Sequence, residues 1–153
     1  MHQSQLKNAL AIIPARGGSK GIPRKNLLSV GGKPLIVWSI EAAQGCGAIE
    51  HIVVSSDDDE ILTVAAQLGV EPLKRPAELA TDTAGPNSVL QHALAEFKAK
   101  HGALPRWVAY LQPTSPLRSA KHLTEAFTAL EGNPHADALI SAYEIDNSCL
   151  KAS

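Results

Sequence analysis

The chain has 153 residues, 44% of them hydrophobic and 19% charged, with a net charge of −1 from 14 basic and 15 acidic side chains. That length suits one domain, and that composition excludes a disordered chain. The charge balance argues against a nucleic-acid-coating or membrane-surface protein.

Short apolar runs alternate with stretches of helical period. The run Ala9-Leu-Ala-Ile-Ile-Pro14 reads as a buried strand, because a continuous apolar segment bounded by Pro and Gly suits a parallel sheet. A helix follows over Pro34–Gln44, with Gly45 as its stop, and then a strand over His51–Ser55. Asp58–Leu68 reads as a helix with Ile61, Leu62, Ala65 and Leu68 on one stripe, closed by Gly69. Val70–Leu73 is the third predicted strand, Asn87–Lys100 the third helix and Trp107–Leu111 the fourth strand. A helix from Ser119 or Ala120 to Leu130 and a fifth strand over Ala136–Ala142 complete the set. This alternation predicts an α/β fold with a mostly parallel sheet and helices on both faces. Ligands of such sheets bind beyond the carboxyl ends of strands, so the loops after Pro14, Ser55, Leu73 and Leu111 are the informative ones.

Cys46 and Cys149 match no metal or redox spacing and fit a reducing compartment. The polar segment 1–8 leads into an apolar run too short for a signal sequence or a membrane span, so the expected location is cytoplasmic. The acidic run Asp57-Asp-Asp-Glu60 could suit a divalent cation, but carboxylates at a helix start more often cap its free N–H groups. The six histidines, His2, His51, His92, His101, His122 and His135, show no ligand spacing.

The first loop carries most of the functional signal. Gly17, Gly18 and Gly21 let backbone N–H groups turn toward one point, and Arg16, Lys20, Arg24 and Lys25 supply charge for several phosphate oxygens. The spacing matches neither a Walker A loop nor the G-x-G-x-x-G dinucleotide fingerprint. A solvated basic turn would not need so many cations, and a triphosphate is the natural occupant.

Residues 13–26, Ile-Pro-Ala-Arg-Gly-Gly-Ser-Lys-Gly-Ile-Pro-Arg-Lys-Asn, resemble the opening motif of the acylneuraminate cytidylyltransferases. Arg75-Pro-Ala-Glu-Leu-Ala-Thr-Asp-Thr83 and Leu111-Gln-Pro-Thr-Ser-Pro-Leu-Arg118 are similar to two further motifs of that family, in the right order. The resemblance implies a three-layer α/β/α fold with a Rossmann-like sheet of the nucleotide-diphospho-sugar transferase type. It also implies a reaction in which the anomeric hydroxyl of a sialic or related nonulosonic acid attacks the α-phosphate of CTP, giving CMP-sugar and pyrophosphate.

Residue by residue, the resemblance assigns Ala15, Arg16, Gly17, Gly18, Ser19, Lys20, Lys25 and Asn26 to the nucleotide, with Lys25 and Arg16 stabilising charge at the reacting phosphate. Arg75 would read the cytosine edge, the alternative being a surface arginine. Where the family offers a small hydroxyl residue, this chain has Gly85-Pro86-Asn87-Ser88, so a side-chain contact to the base is expected to be lost or moved and base specificity is weakened, with Asn87 kept among the nucleotide-binding candidates. Gln112, Thr114 and Ser115 would face the acceptor sugar, although Ser115 and Ser119 also fit a turn that caps the next helix.

The resemblance further implies magnesium and a homodimer, both supported in the family by a later portion that carries an aspartate pair. The sequence stops at Ser153, so residues 1–153 are expected to be one nucleotidyltransferase domain without that portion. Two other readings remain: a non-catalytic nucleotide-binding module, and a cytidylyltransferase for another acidic keto-sugar. Gly21 and the segment Arg75–Thr83 are closer to the sialic acid branch.

Overall fold

The computed structural model describes residues 8–18, 21–81 and 83–142. The chain runs through β1 (Ala9–Pro14), a small hairpin of β2 (Ser29–Val30) and β3 (Lys33–Pro34), α1 (Leu35–Gln44) and β4 (Ile49–Ser56). It continues through α2 (Asp59–Gln67), β5 (Glu71–Lys74), α3 (Pro86–His101), β6 (Trp107–Tyr110) and α4 (Ala120–Glu131). Ala9 to Ile13 of β1 are each no more than 1% exposed. A strand hidden on both faces must pair along both edges, since an unpaired buried backbone group costs about 1–3 kcal/mol. β1 accordingly lies between β4 and β6, parallel to both, in a sheet of order β5-β4-β1-β6.

Alternate residues of β1 serve two cores. Ala9, Ala11 and Ile13 pack with Ile36 and Ile40 of α1, Ile61 and Ala65 of α2, and Leu123 and Phe127 of α4. Leu10 and Ile12 pack with Ala93 and Phe97 of α3 on the other face. Helices therefore cover both faces, as the alternating pattern predicts. Among the described residues no helix is long and apolar enough to cross a membrane.

Two expectations change. The hairpin before α1 was hidden in a glycine pair: Gly31 and Gly32 both take positive φ, 60° and 89°, as the two-residue turn of a tight hairpin requires. Pro34 consequently ends β3 and precedes the first turn of α1, rather than opening the helix. Trp38 secures the hairpin by donating its indole N–H to the Val30 carbonyl at 2.8 Å. The fifth strand expected over Ala136–Ala142 does not form; this segment is irregular. It borders the free side of β6, but Ile140 is 87% exposed. Apolar residues left in water give the segment too little burial to offset the entropy of ordering a strand.

Arg75 joins the ends of β4 and β5. Its side chain is buried, its backbone N–H donates to the Ser56 carbonyl at 2.7 Å, and its Nη2 donates to the Ser55 carbonyl at 2.9 Å. Nε donates to Ser55 Oγ at 3.2 Å and Nη1 to the Leu79 carbonyl at 3.4 Å. Burial pulls its pKa below the ordinary arginine value, with the Asp57 charge opposing. Arg75→Lys keeps the charge but loses the fork, and should lower stability by about 2 kcal/mol in urea melts.

At the opposite end of the sheet Glu71 accepts from Lys100 Nζ at 3.0 Å and His101 Nε2 at 3.1 Å. Burial pushes its carboxyl upward, but the hydrogen bonds from Lys100 and His101 outweigh this and hold it below the usual range. A depressed folded pKa stabilises above the unfolded value and loses that contribution as pH falls through the folded one. Glu71→Gln should therefore lower the stability measured in urea melts near neutrality, by under about 1 kcal/mol for a partly exposed pair. The difference should shrink as pH falls below the usual carboxylate range and Glu71 takes up its proton.

Candidate functional site: a cleft where the strand order reverses

Strand order reverses between β1 and β6, and a cleft of about 500 Å³ opens beyond their carboxyl ends. Its size fits a small-molecule pocket. The loop after β1 contributes Arg16, Gly21, Lys25 and Asn26; the passage after β5 contributes Arg75, Leu79 and Thr81. Pro86 and Val89 of α3 form an apolar side, and Tyr110, Gln112, Pro113 and Thr114 close the cleft from the end of β6. All three sequence motifs thus meet at one opening.

The loop is shaped by its own hydrogen bonds. Ala15 is buried and donates its N–H to the Ser55 carbonyl at 2.9 Å, extending the β1–β4 ladder one residue past the strand. Asn26 is buried too, and its Nδ2 donates to the Arg16 carbonyl at 3.0 Å, so the far end of the loop is pinned to its start. Lys25 opens a single 3₁₀ turn, Lys25–Leu27, and lies half-buried on the cleft wall. It forms no ion pair among the described residues, which leaves its ammonium available to an anion.

Other expected contacts fall elsewhere. Gly17 donates its N–H to Asp57 Oδ1 at 2.9 Å, and Gly18 is exposed and outside the lining. Ser19 and Lys20 lie outside the described residues. Arg24 does not face the cleft: its Nη2 reaches Asp58 Oδ2 at 3.2 Å and Glu60 Oε2 at 2.6 Å. Arg75 lines the cleft, but three of its nitrogens already donate to protein, so it is chiefly a strut and not the surface arginine of the alternative expectation. Asn87 sits exposed in the first turn of α3 and does not line the cleft. Ser115 borders the groove along β6 instead.

The acidic run behaves as a helix start. Asp58 precedes α2, and its Oδ1 accepts from the Glu60 N–H at 2.8 Å and the Ile61 N–H at 3.4 Å. Ser119 precedes α4 in the same way, its N–H donating to His122 Nδ1 at 3.1 Å. His51 and His101 pack with Phe97, ring centroids 5.1 and 4.2 Å away, as aromatic filling under α3.

Two residues that the sequence analysis gave no role of their own also bear on the site, Tyr110 in the cleft lining and Arg118 behind it. Tyr110 is the last residue of β6, and its phenol is pushed up by burial while Arg75 opposes the shift. The signal that could have found it is its place directly before Leu111, where the third motif begins. Arg118 ends the third motif; its Nη2 donates to the Gln112 carbonyl at 2.6 Å and to Ser39 Oγ at 3.2 Å. It thereby ties the loop that presents Gln112 to α1, and burial lowers its pKa.

Comparison with known proteins bears on family and fold. The family model described as cytidylyltransferase matches residues 10–152. The N-acylneuraminate cytidylyltransferase of Escherichia coli O18:K1:H7 is 41% identical over 117 residues, covering 76% of this chain and 27% of that protein. The pseudaminic acid cytidylyltransferase of Campylobacter jejuni is 43% identical over 123 residues, covering 80% of this chain and 52% of the relative. The chain therefore spans about half the length of these relatives, or less. In fold it is similar to a CMP:2-keto-3-deoxy-manno-octonic acid synthetase solved with CTP, with a TM-score of 0.69 at 22% identity, covering 84% of this chain and 49% of that one. On the match across residues 10–152, this chain belongs to the cytidylyltransferase family.

Proposed function

We propose that the cleft binds CTP and serves transfer of its cytidylyl group to a sialic acid or a related nonulosonic acid. The observation that carries this reading is the convergence of Arg16, Lys25 and Asn26 with Gln112 and Thr114 on one opening at the strand-order switch. The names of the relatives, which pair a cytidylyltransferase with N-acylneuraminate or pseudaminic acid, support the choice of donor and acceptor class. In the proposed reaction the anomeric oxygen of the sugar forms a bond to the α-phosphorus as the bond to pyrophosphate breaks. Lys25 and Arg16 neutralise charge that develops on the phosphate oxygens, while Gln112 and Thr114 orient the polar groups of the sugar. Such catalysis rests on positioning and electrostatics more than on covalent chemistry by the protein.

The apolar wall of Pro86 and Val89 offers a face for a base to lie on, while the buried Arg75 holds the edge of the pocket. Ser19 and Lys20 remain part of the proposed set for the nucleotide, while Asn87 and Ser115, which lie outside the cleft lining, do not. Magnesium, which the family resemblance implies, finds no fitting donor set among the described residues. Among the described residues no group of three or more His, Cys, Asp or Glu could hold a metal ion. Asp57 and Asp58 are committed to Gly17, Arg24 and the α2 cap. A homodimer and a cytoplasmic location belong to the same proposal, as does the reading of residues 1–153 as one unit.

Calorimetry with CTP, UTP and GTP tests the donor, with CTP expected to bind most tightly. Lys25→Ala should weaken CTP binding at least about tenfold, or 1.4 kcal/mol. Its Tm should stay unchanged, since Lys25 forms no ion pair among the described residues. Pyrophosphate release with a panel of nonulosonic acids reads the acceptor. CTP binding with no release under any acceptor would make the chain a nucleotide-binding module, and no CTP binding would overturn the proposal.

A further inference from the structure

The start of α2 and the loop after β1 are bound to each other at two points that the proposed chemistry does not use. Gly17 gives its N–H to Asp57 Oδ1 at 2.9 Å, near the beginning of the loop. Arg24, near its end, gives Nη2 to Asp58 and Glu60. A Cβ on Gly17 would lie 2.8 Å from Asp58 Oδ2 and 2.9 Å from Asp58 Cβ, so the loop backbone rests directly on the acid. Arg24 has φ of 50°, a left-handed conformation that costs a non-glycine residue about 1 kcal/mol or more and persists only where its surroundings fix it. The acids are themselves fixed. Asp58 caps α2 and takes its own N–H to Ser56 Oγ at 3.0 Å, while Lys74 Nζ holds the Asp57 carbonyl at 2.8 Å and Asp59 at 2.6 Å.

This arrangement is costly for a loop that receives a polyphosphate. A carboxylate beside the loop repels an anionic ligand, and Asp57 occupies a backbone donor that could have met a phosphate oxygen. Its presence needs a compensating role.

We propose that Asp57 is a positioning residue that, with Asp58 and Glu60, anchors the loop after β1 so that Arg16 and Lys25 face the cleft. The inference rests on the CTP reading of that cleft. It concerns the hydrogen bond to Gly17, not the negative charge. Asp57→Asn retains an oxygen that can accept the Gly17 N–H and removes the repulsion, whereas Asp57→Ala removes both.

The two substitutions therefore separate position from charge. Calorimetry should find Asp57→Asn binding CTP at least as tightly as the unaltered chain, and Asp57→Ala binding roughly five- to tenfold more weakly, as expected for one lost hydrogen bond. Hydrogen exchange in the nucleotide-free protein should show the Gly17 amide protected in the unaltered chain and in Asp57→Asn, but fast in Asp57→Ala. Equal weakening in both variants would make the charge itself the requirement and overturn the inference. Unchanged or tighter binding in Asp57→Ala would overturn it as well. A chain that never binds CTP defeats the cleft reading instead, and Gly17 exchange then decides whether the anchor exists: equal rates in Asp57→Ala and the unaltered chain would end it.

Discussion

The architecture depends on the removal of β1 from water on both faces at once. Its five apolar residues, Ala9 to Ile13, are hidden from solvent, so every backbone group in that strand needs a partner within the sheet. β4 and β6 provide them, and each brings its own following loop to the same end of the sheet. The cleft is thus a consequence of strand pairing. The loop after β1 and the loop after β6 have no reason to be neighbours along the chain, yet the parallel register Ile12 to Tyr110 sets their starting points side by side.

Rigidity at the cleft comes from side chains that bind backbone carbonyls, two of them with a serine hydroxyl in addition. Asn26 holds the Arg16 carbonyl, Arg75 holds the Ser55 and Leu79 carbonyls, and Arg118 holds the Gln112 carbonyl. Each is buried or half-buried, where a hydrogen bond left unmade would be expensive. The effect is to fix where Lys25 and Gln112 stand before any ligand arrives, which lowers the ordering cost of binding. Not all of the basic residues of the glycine-rich loop serve one ligand. Arg24 is taken by α2, so the charge that meets the cleft from described residues comes from Arg16 and Lys25, with Arg75 behind them.

Periodicity made most of the fold legible. The continuous apolar run of β1, the stripe of α2 and the face of α3 declare their elements because burial imposes a repeat on each of them. The segment 136–142 shows the limit of that logic. It has the composition of a strand, but a strand forms only where neighbours hide its side chains, and Leu139 and Ile140 stay exposed. The β2–β3 hairpin was readable in principle from Gly31-Gly32, because paired glycines satisfy a turn that most residues resist.

The sequence by itself determined the glycine-rich basic loop, the alternating α/β order, the capping acid of α2 and the three motifs, since composition and spacing are local properties of a chain. Tertiary structure decided which described cations of the loop face the cleft and which are neutralised, that Arg75 is a buried strut, that Tyr110 lines the cleft while Arg118 braces the Gln112 loop from behind it, and that Asn87 and Ser115 stand outside the lining. The reason is physical. The orientation of a long side chain depends on which charges and carbonyls lie within reach, and those belong to residues dozens of positions away that only the folded sheet brings near.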